Sequence, residues 1–138
     1  KVAELTSKQA LVDLDQLLAA AVVEVGGIRV LAAEMAVDSA KTLREIGDRV
    51  RDKMGSGVVV LGSVLDGKAA LLTLVSKDLV ARIKAGDLVN AAARVVGGKG
   101  GGRPDMAQAG GPMADKLREA LQEVPTLVTS LLKPSADG

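Results

Sequence analysis

The segment Val95 to Pro112 reads Val-Val-Gly-Gly-Lys-Gly-Gly-Gly-Arg-Pro-Asp-Met-Ala-Gln-Ala-Gly-Gly-Pro and holds seven glycines. Glycine loses more backbone freedom on folding than any other residue, so this density argues against an ordinary helix or strand. Such a run is tolerated where the main chain takes positive φ or must lie close against another surface. Lys99 and Arg103 are its only cations. Exposed backbone N–H groups beside them would form an anion-binding concavity. A flexible surface linker has a similar composition, but the run from Arg103 to Gly111 is too varied in sequence for one.

Two nucleotide-binding glycine motifs are excluded. A P-loop needs Gly-Lys followed by Ser or Thr, and Gly98-Lys99 is followed by Gly100. The dinucleotide fingerprint needs glycines at relative positions one, three and six, and no register of the segment supplies them.

Gly97-Gly98-Lys99-Gly100-Gly101-Gly102-Arg103-Pro104-Asp105-Met106-Ala107-Gln108-Ala109-Gly110-Gly111 resembles the glycine-rich signature of the C-terminal domain of bacterial alanyl-tRNA synthetases. That domain is of the DHHA1 class, found also at the end of DHH-type phosphoesterases. The resemblance spans roughly Ala21 to Leu132 and is concentrated in these fifteen residues. Phosphoesterase versions place a histidine at or near the position of Arg103, and this chain has no histidine. That departure favours the synthetase branch.

With 48% hydrophobic residues over 138 positions the chain can bury a real core as one domain, built from aliphatic side chains because Phe, Tyr and Trp are absent. Their absence also removes the ring platform on which single strands usually stack, so RNA binding would rest on charge, hydrogen bonds, backbone amides and shape. No cysteine or histidine is present, which excludes thiolate catalysis, imidazole acid–base chemistry and Cys/His zinc sites. No apolar run is long enough to span a bilayer. Because the chain begins at Lys1 and not Met, it is expected to be a piece of a longer protein.

The net charge of +1 conceals an asymmetry. Residues 1–40 balance at −3, residues 41–70 at +2, residues 71–103 at +4 and residues 104–138 at −2. The positive middle converges on the glycine segment, as an RNA-contacting face requires.

Residues 1–20 form a helical segment by periodicity, with Leu11, Leu14 and Leu18 on an apolar stripe. It reads as a linker or dimerisation helix, or as a helix packed on its own domain. Residues 21–138 form the globular domain, with the glycine-rich loop at 97–111. Ala21–Val25 and Ile28–Met35 are strands joined by Gly26-Gly27. Asp38 or Ser39 caps a helix over Ala40–Met54, with Leu43, Ile46 or Gly47, Val50 and Met54 facing inward. Lys41–Glu45 and Glu45–Arg49 are i,i+4 pairs on its opposite face, so most of its charge is explained as solvated surface. Val58–Leu65 and Lys68–Val75 are strands around an Asp66-Gly67 turn. A short helix starts at Ser76 or Asp78 and ends near Lys84, with Gly86 at its C′ position. Asp87 caps a helix over Leu88–Val96, and Gly97–Gly98 can include a last short strand. Pro112 opens a helix to Val124, whose N-terminus would add positive charge beside the glycine loop, and Pro125 kinks or restarts it. The fold class is α+β: a mixed sheet packed with helices.

No nucleophile–base pair stands out, so the chain alone is expected to be non-catalytic, with no metal site and no cofactor. The resemblance implies a cytoplasmic tRNA-binding domain of an alanine–tRNA ligase that holds the outer corner of tRNA-Ala and bridges the aminoacylation and editing domains of the parent chain. On that reading Lys99 and Arg103 contact phosphate or base edges, Gly98, Gly100, Gly101 and Gly102 let the backbone approach, and Gln108 hydrogen-bonds in the loop or to RNA. Arg94, Lys84 and Arg82 are secondary contacts, and Asp105 pins the loop. The alternatives are a DHH phosphoesterase substrate-recognition domain and a structural module that forms a homodimer.

Overall fold

The structure, a computed structural model, describes residues 22–35, 37 and 39–131. The expected helix over residues 1–20, with its stripe and any dimer role, lies outside the described residues, as does Asp38. Six strands form one mixed sheet: β1 (Val22–Val25), β2 (Ile28–Glu34), β3 (Val58–Leu65), β4 (Lys68–Val75), β5 (Lys99–Gly102) and β6 (Met106–Gly111), in the spatial order β1-β2-β3-β4-β6-β5. Only β2 and β3 run parallel, and the helix α1 (Ala40–Met54) connects them, because a parallel pair needs a crossover. Every other neighbour is antiparallel.

Both faces of the central strands are covered, which is why Val58–Leu65 reads as a nearly continuous apolar run. On one face, Leu31, Val59, Leu61, Leu72 and Leu74 pack against Leu43, Ile46, Val50 and Met54 of α1. Gly47 lets that helix settle: a Cβ there would stand 2.7 Å from side-chain atoms of Leu72 and Leu74. Ser39 caps α1, its Oγ accepting from the Thr42 N–H at 3.2 Å. The opposite face carries α2 (Ala85–Val95), α3 (Leu117–Gln122) and α4 (Val124–Leu131). Their Leu88, Ala92, Leu117, Leu121 and Val128 meet Val30, Val60 and Leu71. The β3–β4 turn has φ of 53° at Asp66 and 76° at Gly67, the two positive values of a type I′ hairpin.

Three expectations are corrected. Residues 77–82 form turns and no helix, closed by Leu79 N–H to Ser76 O and Ile83 N–H to Leu79 O. Gly86 is not a C′ residue, since it sits in the first turn of α2, which starts at Ala85 after Lys84 as N-cap, leaving Asp87 inside the helix. The early start follows from Ala85, which is buried and donates its N–H to Pro104 O at 2.8 Å. Finally, Pro112 opens no α-helix: the Met113 N–H is held by Val96 O, and only a 3-10 turn at Ala114–Lys116 precedes α3. The α-helical N-terminus expected beside the glycine segment is therefore not there. Pro125 does sit in the first turn of the restarted helix α4.

Where α1 ends, Ser56 Oγ donates to Asp78 Oδ2 at 2.6 Å and the Gly57 N–H reaches Ser76 Oγ at 3.0 Å. The Ser56 hydroxyl first, then that of Ser76, holds the Asp78 carboxyl below its usual value. A carboxyl depressed in the folded state stabilises above its unfolded pKa, and that contribution is lost as pH falls through the folded one. On acidification from about pH 6 to about pH 3, the urea midpoint of the native protein should therefore fall further than that of Asp78→Asn. Parallel falls would mean that the Ser56–Asp78 bond is not maintained in solution.

Candidate nucleic-acid interface

The glycine segment is no irregular loop. Lys99–Gly102 and Met106–Gly111 pair as an antiparallel hairpin that adds two strands to the sheet next to β4. Four glycines in a row of five, Gly98 and Gly100 to Gly102, were expected to oppose strand formation; here their missing side chains permit it. A Cβ at Gly98 would overlap Gly110 O, one at Gly100 would meet Ala109 and Gln108, and one at Gly102 would lie 2.8 Å from Ala107 Cα and Met106 O. Helix α2 closes over the outer edge: Asn90 Oδ1 accepts the Gly100 N–H at 3.3 Å, and Gly86 lies close to the Gly102 backbone. Covering an edge in this way also blocks unwanted strand addition.

Gly101 differs from its neighbours, because a Cβ there would meet nothing within 4 Å. Its cross-strand partner is Gln108, and that of Lys99 is Gly110, so Lys99, Gly101 and Gln108 share the sheet face that carries α1. Met106, two residues before Gln108, packs on the same side. Lys99, Gln108 and Arg103 are all exposed. Arg103, at the hairpin tip, donates its N–H to Met106 O at 2.8 Å.

Arg103 lines a cleft of about 390 Å³ between the hairpin and α1, together with Lys41, Arg44, Glu45, Asp48, Arg51, Asp105 and Met106. Four cations thus face three carboxylates. Arg51 and Asp105 also border an adjoining cleft of about 590 Å³, where Lys77 and Asp78 join them. Arg51 Nη2 lies 3.5 Å from Asp48 Oδ1 and its Nε 4.0 Å from Asp52 Oδ1. Exposed pairs of this kind are worth at most about 1 kcal/mol, so an incoming anion can exchange with them at small cost.

The sequence-derived residues therefore separate into groups. Lys99, Gly101, Arg103 and Gln108 come together on the open face, and Asp105 lines the cleft beside them. Gly98, Gly100 and Gly102 are turned against the fold itself. Lys84 and Arg94 belong to α2 on the opposite side of the sheet, and Arg82 to the turns leading into it. Sequence reasoning missed Lys41, Arg44 and Arg51: it placed Lys41 in a solvated pair with Glu45 and gave Arg44 and Arg51 no role. The signal was available: with Asp48 they stand at i, i+3, i+7 and i+10, one stripe beside the buried one.

Among the described residues, no group of His, Cys, Asp and Glu could hold a metal ion, and no helix is long and apolar enough to cross a membrane. A six-stranded mixed sheet with α1 on one face, α2 to α4 on the other and a glycine hairpin beside β4 defines an α+β domain. Residues 27–130 match the DHHA1 domain family, and the chain belongs to it. It is similar to alanine–tRNA ligases: 57% identical over 120 residues to that of Ralstonia nicotianae, covering 87% of this chain and 14% of that protein. To the alanine–tRNA ligase of a Roseiflexus species it is 52% identical over 128 residues, covering 92% of this chain and 14% of that one. The chain thus spans about a seventh of the length of these relatives. Its fold is similar to the crystal structure of the C-Ala domain from Aquifex aeolicus alanyl-tRNA synthetase, with a TM-score of 0.71 and 27% identity over 78% of this chain and 97% of that one.

Proposed function

We propose that this chain is a cytoplasmic, non-catalytic tRNA-binding domain of an alanine–tRNA ligase. It holds tRNA-Ala by the outer corner so that the same molecule can be aminoacylated and edited by other domains of the parent chain, and it needs no cofactor of its own. One observation carries the reading: Arg103 of the hairpin and Lys41, Arg44 and Arg51 of α1 line one open groove, and Lys99 lies on the same face of the sheet. Cations on two walls suit a sugar-phosphate backbone lying between them, with α1 a rigid rail and the hairpin the opposing wall. The likeness to alanine–tRNA ligases and to a C-Ala domain supports the identity of the RNA. The contribution to catalysis is positional: binding energy far from the reacting ester holds the acceptor end in place.

The test is fluorescence anisotropy of a labelled tRNA-Ala transcript titrated with this chain across salt, beside an unstructured RNA of equal length. Folded tRNA should bind more tightly. Lys99→Ala and Arg103→Ala should each weaken binding and flatten the slope of log K against log salt by roughly one. Equal or absent binding to both RNAs would refute the reading.

A further inference from the structure

Beside the cationic cleft, and sharing Arg103 and Met106 with it, lies a smaller pocket of about 210 Å³, formed also by Gly101, Gly102, Ala107 and Gln108. Its lining is mostly apolar although it sits among cations. The side-chain-free Gly101 and Gly102, the half-buried Met106 and the exposed Gln108 all line it. Gly101 has open space where a side chain would stand. Close packing explains glycine at positions 98, 100 and 102, but nothing in the fold requires it at 101.

We propose that this pocket seats a nucleobase of the bound RNA, a specificity contact distinct from the phosphate contacts of the groove; the proposal rests on the RNA-binding reading above. A protein without Phe, Tyr or Trp must offer another flat surface if it is to hold a base. Peptide planes, a thioether and a guanidinium provide one, since bases stack on Arg planes as well as on rings. The Gln108 amide, with a donor and an acceptor, can pair with the base edge. Charge selects the occupant. Lys99, two residues from Gly101 on the same face, and Arg103 at the tip would hold the phosphates on either side of the seated nucleotide. A ring bearing no such phosphates gains nothing from these cations.

A Cβ at position 101 would meet nothing within 4 Å and points to the seat's side of the hairpin, so Gly101→Val obstructs the seat and separates this contact from the phosphate contacts. With the tRNA-Ala transcript, Gly101→Val should weaken binding by roughly ten-fold at every salt concentration, the scale of one lost base stack, with its log K–log salt slope unchanged. Arg103→Ala should instead flatten the slope. Gln108→Ala, which leaves the backbone untouched, should lose several-fold with the native slope and so checks any variant whose circular dichroism shows misfolding. Native affinity in Gly101→Val and Gln108→Ala, or a slope change in both, would overturn the seat while leaving the groove intact. Loss of folded-tRNA binding by the native chain would instead fail the underlying reading.

Discussion

Gly98→Ala should cost at least about 3 kcal/mol of folding stability, whereas Gly101→Ala three residues away should stay within about 0.5 kcal/mol of the native protein. The Gly98 Cβ would overlap Gly110 O and stand 2.7 Å from Gly111 Cα. Neither obstacle is the far end of a flexible side chain, so the strands themselves must part. Gly110 and Gly111 also pair with Ala70 and Ala69 of β4, and Val96, which caps α2, lies against Gly111. The strain therefore spreads to the sheet and to α2. At 101 the new methyl enters open space, and its restriction of the unfolded chain offsets part of any strand strain. Urea midpoints of the two variants decide the matter; thermal midpoints should differ by roughly 10 °C. Equal losses would mean that the hairpin adjusts as a whole and that its glycines are not assigned to separate roles.

Where periodicity and a single strong turn coincide, the fold was legible in advance. Ala40–Met54 is bounded in the sequence by Asp38 or Ser39 as cap and by Gly55, with its buried stripe in the spacing of Leu43, Val50 and Met54, and the structure has that helix, capped by Ser39, with those residues inward. Asp66-Gly67 set the β3–β4 register. The glycine segment misled because backbone entropy argues against strands one residue at a time, while pairing depends on what lies opposite. Ala107 and Ala109 stand opposite Gly102 and Gly100, Gly110 and Gly111 lie against Gly98, and α2 presents Gly86 and Asn90 to the outer edge. Two small surfaces can approach closely only together, and no local propensity contains that information. The same holds for the site. Arg103 and Lys99 were readable from their neighbours in the chain. Lys41, Arg44 and Arg51 are 50 or more residues away from Arg103, and they become its neighbours only because α1 crosses from β2 to β3 over the face that leads to the hairpin.

That juxtaposition makes the larger functional prediction. The double reversal Arg44→Glu with Arg103→Glu should lower affinity for the folded tRNA-Ala transcript by on the order of a hundred-fold at low salt, because each change replaces an attraction to phosphate with a repulsion. The two side chains border one cleft from opposite walls, so a backbone lying in it must meet both. Both are exposed, and substitutions at such positions usually leave stability within about 0.5 kcal/mol; urea midpoints would verify that binding alone has changed. Arg94→Glu, the same charge change on α2 across the sheet, is the control and should act only through the weaker long-range field, fading within the screening length as salt rises. If Arg103→Glu weakens binding while Arg44→Glu matches the native protein, the hairpin binds alone and α1 is only its support. If both act and their effects exceed that of Arg94→Glu at every salt concentration, the RNA lies in the groove, and the helix that builds the core on its inner face builds the binding wall on its outer one.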